Sequence, residues 1–178
     1  MRLLAICGSL QQRSSNLTLL HRAAALSPAD VEFVLYDGLG TIPPFDPDVE
    51  ARGFPAAVAD FKEKIAAADG ILIACPEYAH GVPGSVKNAL DWLVGSMELD
   101  KLPIAVTASV PHPERGRMAL QSLSHTLTVM GAVTIGGDPI TRGQAADDEL
   151  HALLAELIEV ATARVGLANP EKRSTVGG

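Results

Sequence analysis

Leu3-Leu4-Ala5-Ile6-Cys7-Gly8-Ser9-Leu10-Gln11-Gln12-Arg13-Ser14-Ser15-Asn16 sets the pattern by which the rest of the chain is read. An apolar run ends on a glycine, a polar loop follows, and Ser14 or Ser15 stands where a helix N-cap is favoured. The helix so opened carries Leu17, Leu20 and Ala24 on one stripe. Further apolar runs occur at Val31–Tyr36, Gly70–Cys75, Pro103–Ala108 and Ala132–Ile135. Unbroken runs of this kind suit strands covered on both faces. Helical spacing fills the intervals. Phe54, Val58, Phe61, Ile65 and Ala68 share one stripe, and Leu120, Leu123, Leu127 and Met130 another. A shorter helix after Pro83-Gly84 turns Val86, Leu90 and Leu93 inward, and a last one carries Leu150, Leu153, Leu154, Leu157, Ala161 and Val165.

Strands alternating with helices imply right-handed crossovers and a doubly wound α/β fold, a five-stranded parallel sheet with helices on both faces. For five strands the expected order is 2-1-3-4-5, the flavodoxin-like arrangement, with the ligand beyond the carboxyl ends of strands one and three. The expected domain spans residues 1–168, with a polar tail, 169–178, that frays. Asp37–Gly53, rich in Gly, Pro and Asp, reads as a long irregular connection.

Composition narrows the function classes. The 178 residues include 47% hydrophobic and 20% charged residues, a globular balance, and a net charge of −7 argues against nucleic acid as a partner. No run approaches the ~18 apolar residues of a membrane span. The two cysteines, Cys7 and Cys75, are too few for a disulfide framework, so a cytoplasmic setting is expected. Neither they nor His21, His80, His112, His125 and His151 show metal-ligand spacing, so no metal site is expected.

The first loop has the makings of a phosphate cradle. Gly8 permits close backbone approach, and a helix N-terminus presents unpaired N–H groups to an anion. Ser9, Ser14 and Asn16 add side-chain hydrogen bonds, and Arg13 a charge. A merely well-capped helix would look the same by composition.

The loop after the third strand separates these readings. It runs Pro76-Glu77-Tyr78-Ala79-His80-Gly81-Val82-Pro83-Gly84-Ser85-Val86-Lys87-Asn88-Ala89-Leu90-Asp91-Trp92. It resembles the NADPH-dependent FMN reductase family, whose signature reads P-E-Y-N, a short gap, P-G, then K-N-x-x-D-W. The first loop resembles that family's G-S-x-R-x-x-S-x-N, and Gly116-Arg117-Met118 leads a helix as a third match. The resemblance covers about residues 2–135. It implies that Ser9, Ser14 and Asn16, with neighbouring Gln11, Arg13 and Ser15, bind the FMN phosphate. Pro76, Glu77 and Tyr78, with the backbone near Ala79 and Gly81, would line the ring and ribityl chain, and Ser109 with the segment through Arg115, Gly116 and Arg117 would close the other side. Arg115 and Arg117 are candidates for a 2′-phosphate of NADPH. Lys87, Asn88, Asp91 and Trp92 read instead as helix structure, with Lys87 and Asp91 an i, i+4 pair. The resemblance also implies a homodimer, or a dimer of dimers. Two departures predict weaker FMN binding: Gln11 stands where the family has Arg, and Ala79 where it has Asn.

The implied activity is transfer of reducing equivalents from NADPH (or NADH) through FMN to a small-molecule electron acceptor: free flavin, quinone, azo, nitro or metal. The cofactor performs the redox chemistry, so no protein acid, base or nucleophile is expected, and Glu77 reads as a loop-shaping carboxylate. Two alternatives stand beside it. Cys7, Arg13-Ser14 and Asp138-Pro139 match the C-x5-R-S spacing and acid of low-molecular-weight phosphatases. A flavin-binding electron carrier or sensor without turnover is the other.

Overall fold

The computed structural model describes residues 1–143 and 145–168; the tail expected to fray, 169–178, lies outside the described residues. Five strands, β1 (Arg2–Cys7), β2 (Glu32–Tyr36), β3 (Gly70–Ala74), β4 (Pro103–Thr107) and, after a short β5 (Ser109–Val110), β6 (Val133–Gly136), are the apolar runs of the sequence to within two residues at either end. They form one parallel sheet in the order β2-β1-β3-β4-β6. The expected order therefore holds, with β6 as the fifth strand because β5 lies outside this sheet. β5 pairs in parallel with β7 (Ile140–Thr141) in a separate ribbon past the carboxyl ends of β4 and β6. Elements of two residues carry no periodicity, so this ribbon leaves no signal in the sequence.

Every residue of β3 and β4 is buried, as unbroken apolar strands require, whereas edge strands β2 and β6 are half exposed. β1 alternates strictly: Leu3, Ala5 and Cys7 face one layer, Leu4 and Ile6 the other. The first layer is built by α1 (Ser15–Leu26) and α6 (Ala146–Ala168) through Leu20, Ala23, Leu150, Leu154 and Leu157. The second is built by α3 (Ala56–Ala66), α4 (Gly84–Asp91) and α5 (Arg117–Val129) through Val58, Phe61, Ile65, Val86, Leu90, Leu120 and Leu123. No described helix is long and apolar enough to cross a membrane.

Three stripes need correction. Phe54 is exposed and precedes α3, because the proline at 55 turns the preceding residue away from helical backbone; Lys62 Nζ lies 4.6 Å from its ring centre. The buried face of α1 is Asn16, Leu19, Leu20 and Ala23, while Leu17 is half-buried and Ala24 exposed. A polar residue, Asn16, belongs to the inward face and so shifts its phase from the one apolar residues alone suggest. Val165 in α6 is likewise exposed.

The connection Asp37–Gly53 contains a 3-10 turn (Gly38–Thr41) and the short helix α2 (Pro47–Glu50). It is tied to the α4 segment. Asn88 Nδ2 donates to the Pro43 carbonyl at 2.9 Å and Trp92 Nε1 to the same oxygen at 2.8 Å. Phe45 N–H donates to Asn88 Oδ1 at 2.7 Å, while Lys87 and Asp91 pair at 2.5 Å on the outside.

Candidate functional site

The strands all run parallel, but the order of addition reverses between β1, whose next strand β2 lies on one side, and β3, whose next strand β4 lies on the other. Their outgoing loops diverge and leave a crevice at the carboxyl edge. A cleft of about 280 Å³ opens there. Ser9, Gln11, Ser14, Ser15 and Asn16 form its first wall, and Pro76, Glu77 and Tyr78 its second. Ser109, Arg115, Gly116 and Arg142 complete it. Arg13, Ala79, Gly81 and Arg117, expected near the cofactor, do not line it.

Ser14 is the N-cap of α1: its backbone is extended (φ −73, ψ 136) and its Oγ accepts from Asn16 N–H at 3.2 Å. The first turn of α1 thus points into the cleft between serine hydroxyls. Asn16, 4% exposed, accepts the Ser109 N–H on Oδ1 at 2.9 Å, and Ser15 Oγ donates to the Ser109 carbonyl at 3.3 Å. With the Asn16 oxygen so held, its NH2 is the group left to donate to a ligand. Tyr78 closes the opposite side, its phenol 3.0 Å from Ser9 Oγ.

Gly8 serves a purpose different from the one expected. A Cβ there would come within 3.0 Å of Val86 Cγ2, 3.1 Å of Pro76 Cδ and 3.2 Å of Cys75 Cα. Its bare face meets the third-strand loop rather than a ligand, and this contact lets the two walls approach. Gly8→Ala is expected to destabilise the protein by about 1–3 kcal/mol through overpacking, read by urea denaturation.

In the third-strand loop Tyr78 and Gly81 exchange two backbone hydrogen bonds, 3.1 and 3.0 Å, around Ala79 and His80, whose φ values are +49 and +59. This is a type I′ turn, which favours Asn-Gly at its centre. Ala79 therefore holds a left-handed backbone position in this turn. Ala79→Asn is expected to stabilise the protein by about 0.5–1 kcal/mol, seen as a raised urea midpoint, because asparagine tolerates left-handed backbone better than alanine.

Glu77 reaches across to α5. Gly116, at the N-cap position with φ +85, has no side chain with which to cap, and Glu77 Oε2 accepts from Met118 N–H at 3.0 Å and Ala119 N–H at 3.1 Å instead. A carboxylate at a helix N-terminus is favoured by the dipole. His80 lies 3.6 Å from the other oxygen but is itself 80% exposed. Arg117 donates to the Pro113 carbonyl and pairs with Asp138 at 3.3 Å, which turns it from the cleft.

The three residues of the phosphatase reading are not brought together. Cys7 is buried in the layer under α1, and burial pushes its thiol pKa up, against formation of a thiolate. Arg13 is exposed and off the cleft. Asp138 lies beside another depression with its carboxylate 85% exposed.

A family model described as NADPH-dependent FMN reductase matches residues 1–147. Among curated relatives, the 2-hydroxy-1,4-benzoquinone reductase of a Burkholderia species is 41% identical over 92 residues, which is 52% of this chain and 49% of that protein. An NAD(P)H-dependent FMN reductase of Pseudomonas aeruginosa is 45% identical over 91 residues, 51% of this chain and 49% of that one. The quinone reductase of Escherichia coli is 38% identical over 94 residues, 52% and 50%. The chain thus spans about half the length of the curated relatives it matches. Among solved structures, FerB, a flavoenzyme NAD(P)H:(acceptor) oxidoreductase from Paracoccus denitrificans, shares the fold. Its TM-score is 0.80 at 23% identity, over 91% of this chain and 97% of that one.

Proposed function

The chain belongs to the NADPH-dependent FMN reductase family, and from that membership we propose that it holds FMN in this cleft and passes reducing equivalents from NADPH (or NADH) to a small-molecule acceptor. The observation that carries the reading is the first turn of α1, ringed by Ser9, Ser14, Ser15 and Asn16, opening into the crevice between β1 and β3. Hydroxyls, an amide NH2 and helix N–H groups form a donor set suited to a phosphomonoester, and a longer wall from Pro76 to Tyr78 suits a flat ring.

FMN, when bound, supplies the chemistry of accepting hydride from a nicotinamide and reducing the acceptor. The chain's part is to bind, orient and leave one face accessible. Ser9, Ser14, Ser15, Asn16 and Gln11 hold the phosphate end. Pro76 and the backbone of Glu77 and Tyr78 support the ring, while Ser109, Arg115 and Gly116 close the far side. The carboxylate of Glu77 is engaged at α5, which keeps it out of proton transfer. Arg115 is the candidate for the 2′-phosphate of NADPH, since Arg117 is held by Asp138.

Relatives that are quinone reductases favour a quinone as acceptor, ahead of free flavin, azo, nitro or metal acceptors. A homodimer is supported by Val94, Met97 and Val129, 68%, 76% and 73% exposed around the α4–α5 face. A reducing cytoplasm is supported by two free, buried cysteines. The test is a titration with FMN followed by flavin emission, then an assay of NADPH oxidation with a benzoquinone and of aryl-phosphate hydrolysis. Saturable FMN binding with FMN-dependent quinone reduction supports the proposal. Hydrolysis without flavin binding would overturn it.

A further inference from the structure

We infer that Arg142, on the β7 side of the cleft, supplies the positive charge that recognises the phosphate of FMN, an inference that rests on the cofactor reading above. Gln11 lines the cleft but carries no charge, and Arg13 lies off it. Two arginines, Arg115 and Arg142, do line it. They stand at different places. Arg142 also borders a second cavity, formed with Ser15, Thr18 and Leu19 of α1, so it sits against the first turns of that helix. Arg115 does not border that cavity and belongs to the segment leading into α5.

The ribbon fixes this placement. Arg142 N–H donates to the Val110 carbonyl at 2.9 Å, in register with the β5–β7 pairing of Ser109 with Ile140 and Val110 with Thr141. Ser109 is in turn held to Ser15 and Asn16. Backbone hydrogen bonds thus run from the N-terminus of α1 through β5 to Arg142. The residue is exposed where it lines the cleft, and among the described residues it has no carboxylate partner, whereas Arg2, Arg22 and Arg117 each have one. A guanidinium on the same cleft as these hydroxyls and the helix N-terminus matches a phosphate dianion, which it can grip with two parallel hydrogen bonds. The acidic first turn of α6, Asp147, Asp148 and Glu149, is the competing explanation for an arginine here. Asp147 is already paired with Arg22.

The experiment compares FMN with riboflavin, which lacks the phosphate, in flavin-emission titrations of the unsubstituted protein, Arg142→Gln, Arg142→Lys and Arg13→Gln. Arg142→Gln is expected to weaken FMN binding about ten- to a hundredfold with riboflavin affinity unchanged. Arg142→Lys should recover part of the loss, and Arg13→Gln should leave both ligands as they were. Several results overturn the inference while leaving the cofactor reading intact. They are equal loss of FMN and riboflavin, loss on Arg13→Gln instead, or an Arg142→Gln protein with a lower melting temperature but an unchanged FMN-to-riboflavin ratio. Failure of the unsubstituted protein to bind FMN removes the premise and the inference together.

Discussion

Trp92→Ala is expected to cost about 3–5 kcal/mol of stability, the range for truncating a fully buried aromatic. Trp92 is 0% exposed and meets Phe45 edge-on at 5.1 Å between ring centres. Its indole N–H holds the Pro43 carbonyl, the same oxygen that Asn88 holds from one turn earlier. The alanine variant therefore loses ring packing, the edge-to-face contact and one anchor of the Asp37–Gly53 connection at once. Trp92→Phe separates these losses: it keeps most of the ring and removes only the N–H. Because Asn88 still serves Pro43, that variant should lose only about 1 kcal/mol. Urea denaturation followed by circular dichroism reads both, and a Trp92→Ala midpoint close to the parent's would show that Trp92 is not the anchor. On this account the K-N-x-x-D-W run is an architectural motif. Lys87 and Asp91 pair outside, while Asn88 and Trp92 pin a long loop inside.

Periodicity made the main sheet and its two helical layers readable because each depends on burying a continuous face. The runs at Leu3–Cys7 and Gly70–Cys75 are apolar at nearly every position, and only a strand covered on both faces asks for that. The cleft was legible in part, through polar residues gathered just after two such strands. What stayed hidden is what no period records. The β5–β7 ribbon is two residues deep, and its placement of Arg142 follows from backbone pairing rather than from any neighbouring residue type. Nothing in the run Ile140-Thr141-Arg142-Gly143 distinguishes this arginine from a loop charge away from the cleft. Asn16 was visible as a polar residue near a loop, but its inward position in α1 was not. An inward asparagine becomes favourable only when a partner, here the Ser109 N–H, arrives from far along the chain. The same holds for the surroundings of Gly8 and Ala79. The third-strand loop that Gly8 touches, and the left-handed turn that Ala79 occupies, exist only after folding.

Asn16→Asp should then separate folding from cofactor binding more sharply than any truncation. The substitution preserves shape, and an aspartate oxygen can still accept the Ser109 N–H that Asn16 Oδ1 accepts now. It also places a negative charge in the first turn of α1, where the helix dipole favours one. Both effects keep the melting temperature near the parent's. A bound FMN phosphate meets the opposite situation, since it carries a charge of about −1.5 to −2 and would face a carboxylate in place of an amide donor. At a separation of about 5 Å and an effective dielectric of about 20, the repulsion is about 3 kcal/mol per unit of phosphate charge. FMN affinity should fall by more than about a hundredfold, whereas riboflavin, without the phosphate, should bind almost as before. Lowering the pH protonates the introduced carboxyl and should restore part of the FMN affinity in this variant alone. Parallel loss of both ligands would mean that Asn16 shapes the cleft without facing the phosphate. Undiminished FMN binding would place the phosphate away from the N-terminus of α1 and remove the central geometric support for the cofactor assignment.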